Sequence, residues 1–135
     1  MKNFTMKIKM TIAVSLSMLV IGLNGCATKP VTAPQLTAAQ LKVEAGKSHF
    51  HSGEYGSAES DFLDSSIWSG DASSKVESLK YLAFIYCVTE RVTLCRHSFY
   101  KALQLDPGFE LSAAESTHPL WGPEFVVAQS GLNGI

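Results

Sequence analysis

The strongest constraint on the fold is the spacing of apolar residues between Ser74 and Leu105, which recur every three or four positions. This period gives an α-helix one apolar face. A polar break at residues 89–91 divides the segment into two helices, and Pro107 ends the second, because proline cannot continue a helix. The residues expected to face the core are Leu79, Leu82, Ala83, Tyr86, Cys87, Cys95, Phe99, Ala102 and Leu103.

Two weaker amphipathic stretches precede this hairpin. The first begins at Thr37, which forms a capping box with Gln40, and the second covers residues 54–69. A capping box is also expected for Ser74 and Glu77. The expected inner positions are Leu41, Ala45 and Phe50 in the first stretch, and Ala58, Phe62, Ser65 and Ser66 in the second. Four helices with short connections predict an all-α domain.

The helical pattern also has an internal period. Residues 79–107 resemble a tetratricopeptide (TPR) repeat, in which small, aromatic and apolar residues stand at fixed offsets within about 34 residues. The matching residues are Leu79, Leu82, Ala83, Tyr86, Cys95, Phe99, Ala102 and Pro107, and a weaker match 37 residues earlier has Gly46, Tyr55, Ala58 and Phe62. Residues 37–107 are therefore predicted as two TPR-like hairpins of antiparallel helices, the alternative being an unrelated helical bundle.

The C-terminal segment, residues 108–135, has a different character. Residues 112–115 have the form of a capping box for a short helical turn, and residues 123–129 are expected to form a final short helix that starts at a proline. Trp121 and Phe125 are expected to cover the open end of the last repeat, because the ends of a solenoid need a cap.

The N-terminal segment, residues 1–25, has the pattern of a secretory signal. Three lysines precede an apolar run of about a dozen residues, Thr11–Leu23, which is shorter than the roughly 20 residues that span a bilayer. The sequence Leu23-Asn24-Gly25-Cys26 then resembles the lipobox of bacterial lipoproteins, in which the cysteine thiol receives a diacylglycerol. Cys26 is thus predicted to be lipidated after cleavage, and the alternative is a buried helix of similar length.

Residues 26–36 contain two prolines and no apolar period, so they are predicted to be an extended tether. A triacylated Cys26 would anchor the chain stably, because stable anchoring takes more than one acyl chain. An aspartate directly after the lipidated cysteine resembles an inner-membrane retention signal. This chain has Ala27 at that position, so the predicted location is the periplasmic side of the outer membrane. Removing residues 1–25 changes the formal charge from −1 to −4, and without a basic patch no nucleic-acid partner is expected.

Cys87 and Cys95 lie eight residues apart, near facing ends of two predicted helices. A disulfide with Cα atoms about 5.5 Å apart fits this hairpin in an oxidising compartment. Two alternatives remain open from the sequence. The thiols are free and buried as small apolar groups, or Cys87, Cys95 and His97 bind zinc with a fourth ligand missing.

No motif for catalysis is present in the sequence. No serine has the surroundings of an activated nucleophile. His49 and His51 are interpreted as ordinary surface or groove residues rather than ligands, and His118 as a structural residue. We therefore expect a non-enzymatic protein without a cofactor or a metal. A TPR pair instead predicts a groove for protein partners, and the candidate lining residues are Lys42, His49, Lys80, Phe84 and Trp121.

Two stretches carry a more specific resemblance. Residues 80–111 hold the two-cysteine hairpin, and residues 118–125 read His-Pro-Leu-Trp-Gly-Pro-Glu-Phe. Together they resemble the TPR-containing lipoproteins associated with type VI secretion, the TssQ-like family. The resemblance covers less than half of the mature chain. It implies an accessory role in the cell envelope beside the injection machine, with no catalytic residues.

The leading functional hypothesis is a non-catalytic periplasmic adaptor for a protein partner of the secretion apparatus. A second is a general lipoprotein for outer-membrane or pilus assembly, comparable to a pilotin. A third is a module that binds peptidoglycan. All three hypotheses are consistent with an outer-membrane lipoprotein, and the first two predict envelope proteins as its partners.

The lipid anchor gives a direct test. Cells grown with a radiolabelled fatty acid are expected to label the wild-type chain and not the Cys26→Ala variant, because only the thiol accepts the diacylglycerol. Autoradiography of the immunoprecipitated protein measures the incorporation. Equal labelling of both forms would contradict the assignment of Cys26.

Overall fold

A computed structural model describes residues 35–133. The predicted signal peptide, Cys26 and residues 27–34 of the predicted tether lie outside the described residues. The described part contains helices and no strand, which confirms the all-α prediction, and none of its helices is long and apolar enough to cross a membrane. The helices are α1 (Ala38–His51), α2 (Tyr55–Phe62), α3 (Ser65–Ser69), α4 (Ala72–Val88), α5 (Val92–Leu105), α6 (Ala113–Ser116) and α7 (Gly122–Asn133).

The start of α1 agrees with the sequence prediction. The backbone N–H of Gln40 donates to the Thr37 hydroxyl oxygen at 3.2 Å, and the Gln40 side chain accepts from the Thr37 N–H at 2.9 Å. The same reciprocal pair joins Ser112 and Glu115 at the start of α6. Both capping boxes are confirmed.

The predicted capping box at Ser74 is wrong. The residue that caps α4 is Asp71 and not Ser74, so the helix begins at Ala72 instead of Lys75. The Asp71 carboxylate accepts the backbone N–H of Ser74 at 2.8 Å and its hydroxyl at 2.9 Å. These hydrogen bonds, led by the one from the Ser74 N–H, lower the pKa of Asp71 to about 2. Ser74 is therefore a buried residue of the first turn.

The second predicted helix is two helices. Asp64 interrupts it by capping α3, and its carboxylate accepts the backbone N–H of Ser66 at 2.9 Å and the Ser66 hydroxyl at 2.7 Å. Because of this interruption, the residues after Asp64 point in directions other than those they would have in one continuous helix. As a result Ile67 is fully buried, whereas Ser65, which was predicted to face inward, is exposed.

The buried face of α1 also differs from the prediction. Leu41 was placed on the inner side, but 57 % of it is exposed, and the buried residues are Ala39, Val43 and Gly46. Leu41 and Gly46 are five residues apart and therefore point about 140° away from each other. The ring of Phe62 on α2 lies directly against Gly46, so the small residue determines which side of α1 faces inward.

Helices α4 and α5 form the hairpin that the apolar spacing predicts, and all nine predicted core residues are buried. Cys87 and Cys95 form a disulfide across its turn, with an S–S distance of 2.17 Å and a Cα–Cα distance of 5.3 Å. The disulfide prediction is thus confirmed over the two alternatives that kept the thiols unbridged. Closing a loop of this length stabilises the folded state by about 2.5 kcal/mol on the chain-entropy model.

A charged contact joins the first hairpin to the second. The Arg91 guanidinium donates to both oxygens of Glu59 on α2, at 2.9 and 2.7 Å, and lies 4.5 Å from the centre of the Tyr86 ring. The hydrogen bond from Arg91 lowers the pKa of Glu59 despite its partial burial. Because the pair is bidentate, it fixes orientation as well as distance.

The C-terminal helix packs on the second hairpin. Phe125 of α7 is buried and meets Phe99 of α5 edge to face, with ring centres 5.1 Å apart. An ion pair between Arg96 and Glu124 lies beside this contact. Helix α7 begins at Gly122 and continues to Asn133, so it is longer than the predicted residues 123–129. The order and packing of the helices are compatible with two TPR-like hairpins followed by a cap.

Gly46 offers a test of the close approach of α1 and α2. A Cβ atom at this position would lie 2.7 Å from Cε1 of the buried Phe62 ring, so we expect Gly46→Ala to destabilise the fold by about 1–3 kcal/mol. The matched control is Gly56→Ala on α2, where a Cβ meets nothing within 4 Å. That variant should instead stabilise by about 0.5–1 kcal/mol, because alanine favours the helix. Urea unfolding followed by circular dichroism measures both changes.

Candidate functional site

An open groove lies between the end of α1, the middle of α4 and the segment around α6. Its volume is about 270 Å³. Most of its lining residues have aromatic side chains, and the full set is Phe50, His51, Tyr81, Phe84, Ala114, Glu115 and Trp121. We call this surface the aromatic groove. It lies on the first helix of each hairpin, where a TPR pair was predicted to bind its partners.

Tyr81 forms the base of the aromatic groove. Its ring stacks on Phe62, with centres 5.3 Å apart, and meets Phe50 and then Phe84 edge to face at 5.2 and 5.6 Å. These contacts tie the groove to the α1–α2 core, and only 7 % of Tyr81 is exposed. Burial raises the pKa of the Tyr81 hydroxyl, which therefore stays protonated at neutral pH. The base is thus rigid and uncharged.

Trp121 closes one side of the aromatic groove. Its ring stacks on Phe84 with centres 4.3 Å apart, and its indole N–H donates to the backbone oxygen of Glu115 at 2.8 Å. The ring of His118 stacks on the opposite face of the indole. Phe84, a predicted lining residue, is consequently only 2 % exposed. The chain's own C-terminal segment covers Phe84 and presents Trp121 in its place.

An ion pair marks the polar rim of the groove. The Lys80 amine lies 3.0 Å from a Glu115 oxygen and 5.0 Å from the centre of the Tyr81 ring. Burial alone would raise the pKa of Glu115, but hydrogen bonds from the Ser112 N–H and from Lys80 outweigh it and lower the pKa. The rim therefore carries a lysine and a carboxylate that neutralise each other.

Of the five predicted lining residues, only Phe84 and Trp121 line the aromatic groove, and Lys80 lies beside it through its contact with Glu115. The structure places the remaining two elsewhere. Lys42 and His49 both contact the Asp61 carboxylate on α2, at 3.0 and 2.8 Å, and neither lines the aromatic groove. Burial opposes the ionisation of Asp61, but the hydrogen bonds from Lys42 and His49 outweigh it, so its pKa is lowered. These side chains connect α1 to α2.

Sequence reasoning missed five of the seven residues that line the aromatic groove, namely Phe50, His51, Tyr81, Ala114 and Glu115. The sequence assigns Phe50 to the core and His51 to an ordinary surface or groove position, and it assigns no site to Tyr81. The available signal was the spacing of Tyr81 and Phe84, which are three residues apart and therefore share one side of α4. Only the angle between the hairpins brings them to Phe50.

The described residues contain no group of three or more His, Cys, Asp or Glu side chains that could hold a metal ion. Comparisons with protein-family models, with curated proteins and with solved structures give no match to this chain. The resemblance of residues 80–111 and 118–125 to secretion-associated lipoproteins therefore stays a prediction.

The packing of Trp121 leads to a stability prediction. We expect Trp121→Ala to destabilise the protein by about 2–3 kcal/mol, because it removes a large ring that covers Phe84 and a partly buried hydrogen bond. Val126→Ala on α7 is the matched control. Val126 is 58 % exposed, so this variant should change stability by less than about 0.5 kcal/mol. Thermal unfolding of both variants measures the difference. Equal effects would show that Trp121 does not hold the C-terminal segment on α4.

Proposed function

We propose that this chain is a lipid-anchored, non-catalytic adaptor that binds a segment of another cell-envelope protein in the aromatic groove. The single observation that supports the proposal is the groove itself. Four aromatic side chains from α1, α4 and the C-terminal segment converge on an open depression with a neutralised rim. Aromatic residues are enriched where proteins bind proteins, because a rigid ring contributes a large contact area at a small cost in entropy.

The shape of the groove suits one or two side chains of a peptide or partner helix. Its volume of about 270 Å³ falls below the roughly 300–1,000 Å³ of sites for small organic ligands. The groove is also open to solvent, so a peptide backbone can lie over it while one apolar side chain enters. Lys80 and Glu115 at the rim can exchange hydrogen bonds with the polar backbone of that segment.

The proposed anchor limits where the partner is found. An extended tether of residues 26–36 reaches at most about 36 Å, so the groove would stay near the bilayer. With Cys26 lipidated and no aspartate after it, that bilayer is the outer membrane, on its periplasmic side. The partner is then an envelope protein with a segment close to this membrane.

The proposed partner belongs to the type VI secretion apparatus. The support is the sequence resemblance of residues 80–111 and 118–125 to the TssQ-like lipoproteins. The first stretch contains the hairpin that the disulfide closes, and the second contains Trp121, which closes one side of the groove. Three of the seven residues that line the groove, Tyr81, Phe84 and Trp121, thus belong to the stretches that carry the resemblance.

Crosslinking in living cells tests the groove directly. A photoreactive phenylalanine at the exposed His51 position on the groove is expected to capture a specific envelope protein, identified by mass spectrometry. The same photoreactive residue at the exposed Val126 on α7 is the matched control and should not capture it. A product of identical mass and yield at both positions would contradict binding in the groove. A captured component of the injection machine would support the secretion role.

The alternative is a general lipoprotein for outer-membrane or pilus assembly, and a module for peptidoglycan is less favoured. A deletion strain separates the first two functions. Loss of injection with normal outer-membrane proteins supports the secretion adaptor, whereas intact injection with altered outer-membrane proteins supports the assembly role. Sedimentation with purified peptidoglycan tests the third.

A further inference from the structure

A second concave surface lies where α3, α4 and α5 meet. Its apolar walls are Trp68 of α3 and Leu105 of α5, and the nearly buried Leu79 of α4 forms its floor. We call it the Trp68 pocket. It shares no lining residue with the aromatic groove. The volume of about 200 Å³ suits a single large side chain better than a small organic ligand, whose sites start at roughly 300 Å³.

The charge around the Trp68 pocket is not neutralised. Seven lysines and arginines fall in residues 35–133, and five of them form ion pairs with carboxylates there, namely Lys42, Lys47, Lys80, Arg91 and Arg96. The other two, Lys75 and Lys101, have no carboxylate within 4.0 Å in the described residues, and both line this pocket. No acidic side chain lines it. Within residues 35–133, the two lysines that form no ion pair thus line the same apolar depression.

Trp68 adds a third donor. Its side chain is 38 % exposed, and its indole N–H donates no hydrogen bond to the described residues, unlike that of Trp121. Indole is a donor only, so the partner that suits it is an acceptor such as a carboxylate or a carbonyl oxygen. The pocket therefore combines an apolar interior with three donors, of which two are cationic.

We propose that the Trp68 pocket binds a segment of a protein partner in which one apolar side chain is flanked by carboxylates. The apolar side chain enters between Trp68 and Leu105 and reaches Leu79. The flanking carboxylates pair with Lys75 and Lys101, whose positive charges are complementary to them. The adaptor thus has a second contact surface, and its recognition chemistry differs from that of the aromatic groove.

The shape favours a protein segment over a bilayer. A bilayer surface is met by protruding side chains, whereas Leu79 lies at the base of a depression and is 6 % exposed. A single side chain on a peptide can reach it. The lysines can also contact anionic lipid, so the bilayer is the competing occupant that an experiment must separate.

A matched panel of fluorescent peptides of about twelve residues tests the pocket on the full-length chain in mild detergent. Each pair shares one central Leu, Phe or Met, which is flanked by two glutamates in one member and by two lysines in the other. We expect the acid-flanked members to bind and the lysine-flanked members not to bind, as measured by fluorescence anisotropy. The indole N–H resonance of Trp68, assigned with Trp68→Phe, should shift on binding. Raising the salt concentration should weaken the binding, because Lys101 is exposed and Lys75 is only partly buried, so dissolved ions screen their charges.

Charge-removing variants locate the site. Lys75→Gln with Lys101→Gln is expected to weaken the binding of the acid-flanked peptide about tenfold, which corresponds to about 1.4 kcal/mol. Lys47→Gln, which removes a lysine paired with Glu44, is the matched control and should leave the affinity unchanged. The variant His51→Ala in the aromatic groove should also leave the affinity for the acid-flanked peptide unchanged. The proposal for the Trp68 pocket and the proposal for the aromatic groove can therefore fail independently of each other.

Three results would overturn the proposal. The first is equal affinity for acid-flanked and lysine-flanked peptides, and the second is equal loss in the double variant and in Lys47→Gln. The third uses vesicles of phosphatidylglycerol with brominated acyl chains. Quenching of Trp68 emission that depends on Lys75 and Lys101 would identify the bilayer as the occupant.

Discussion

The contact between the Phe62 ring and Gly46 supports the rest of this structure. Phe62 is fully buried, and its ring lies where a side chain of any other residue at position 46 would begin. The same ring also stacks on Tyr81 of α4. One side chain therefore sets the distance between α1 and α2 and the position of the second hairpin on the first. Because interiors are packed to crystal-like density, neither contact can change without moving the other.

The aromatic groove is a continuation of this packing. From Phe62 the rings follow through Tyr81 and Phe84 to Trp121, each in contact with the next. The same series thus forms the core at one end and the exposed groove at the other. A site built in this way needs no mobile loop to place its side chains, because burial of their neighbours fixes their orientation. The disulfide of Cys87 and Cys95 closes the turn of the hairpin that carries Tyr81 and Phe84.

Local signals in the sequence were read correctly where the physical cause is itself local. The capping box of Thr37 and Gln40 involves residues three apart, and the spacing of Cys87 and Cys95 places them across a single turn. At the start of α4 the Asp71 carboxylate is the cap in place of the predicted Ser74 hydroxyl, because an ionised oxygen is a stronger acceptor for the backbone N–H groups of a first turn. In the second predicted helix the Asp64 carboxylate caps α3 and so divides the helix in two.

The sequence by itself determined the all-helical class and the α4–α5 hairpin, and it predicted the disulfide across that hairpin, since apolar period and cysteine spacing act within a few turns of chain. Tertiary structure decided which side of α1 is buried, and it left Leu41 exposed because Gly46 admits the Phe62 ring. It also decided that Trp121 covers Phe84, and that Lys75 and Lys101 share one pocket. The physical reason is the same in each case. These contacts join residues far apart in the chain, and their geometry follows from the angles at which helices pack.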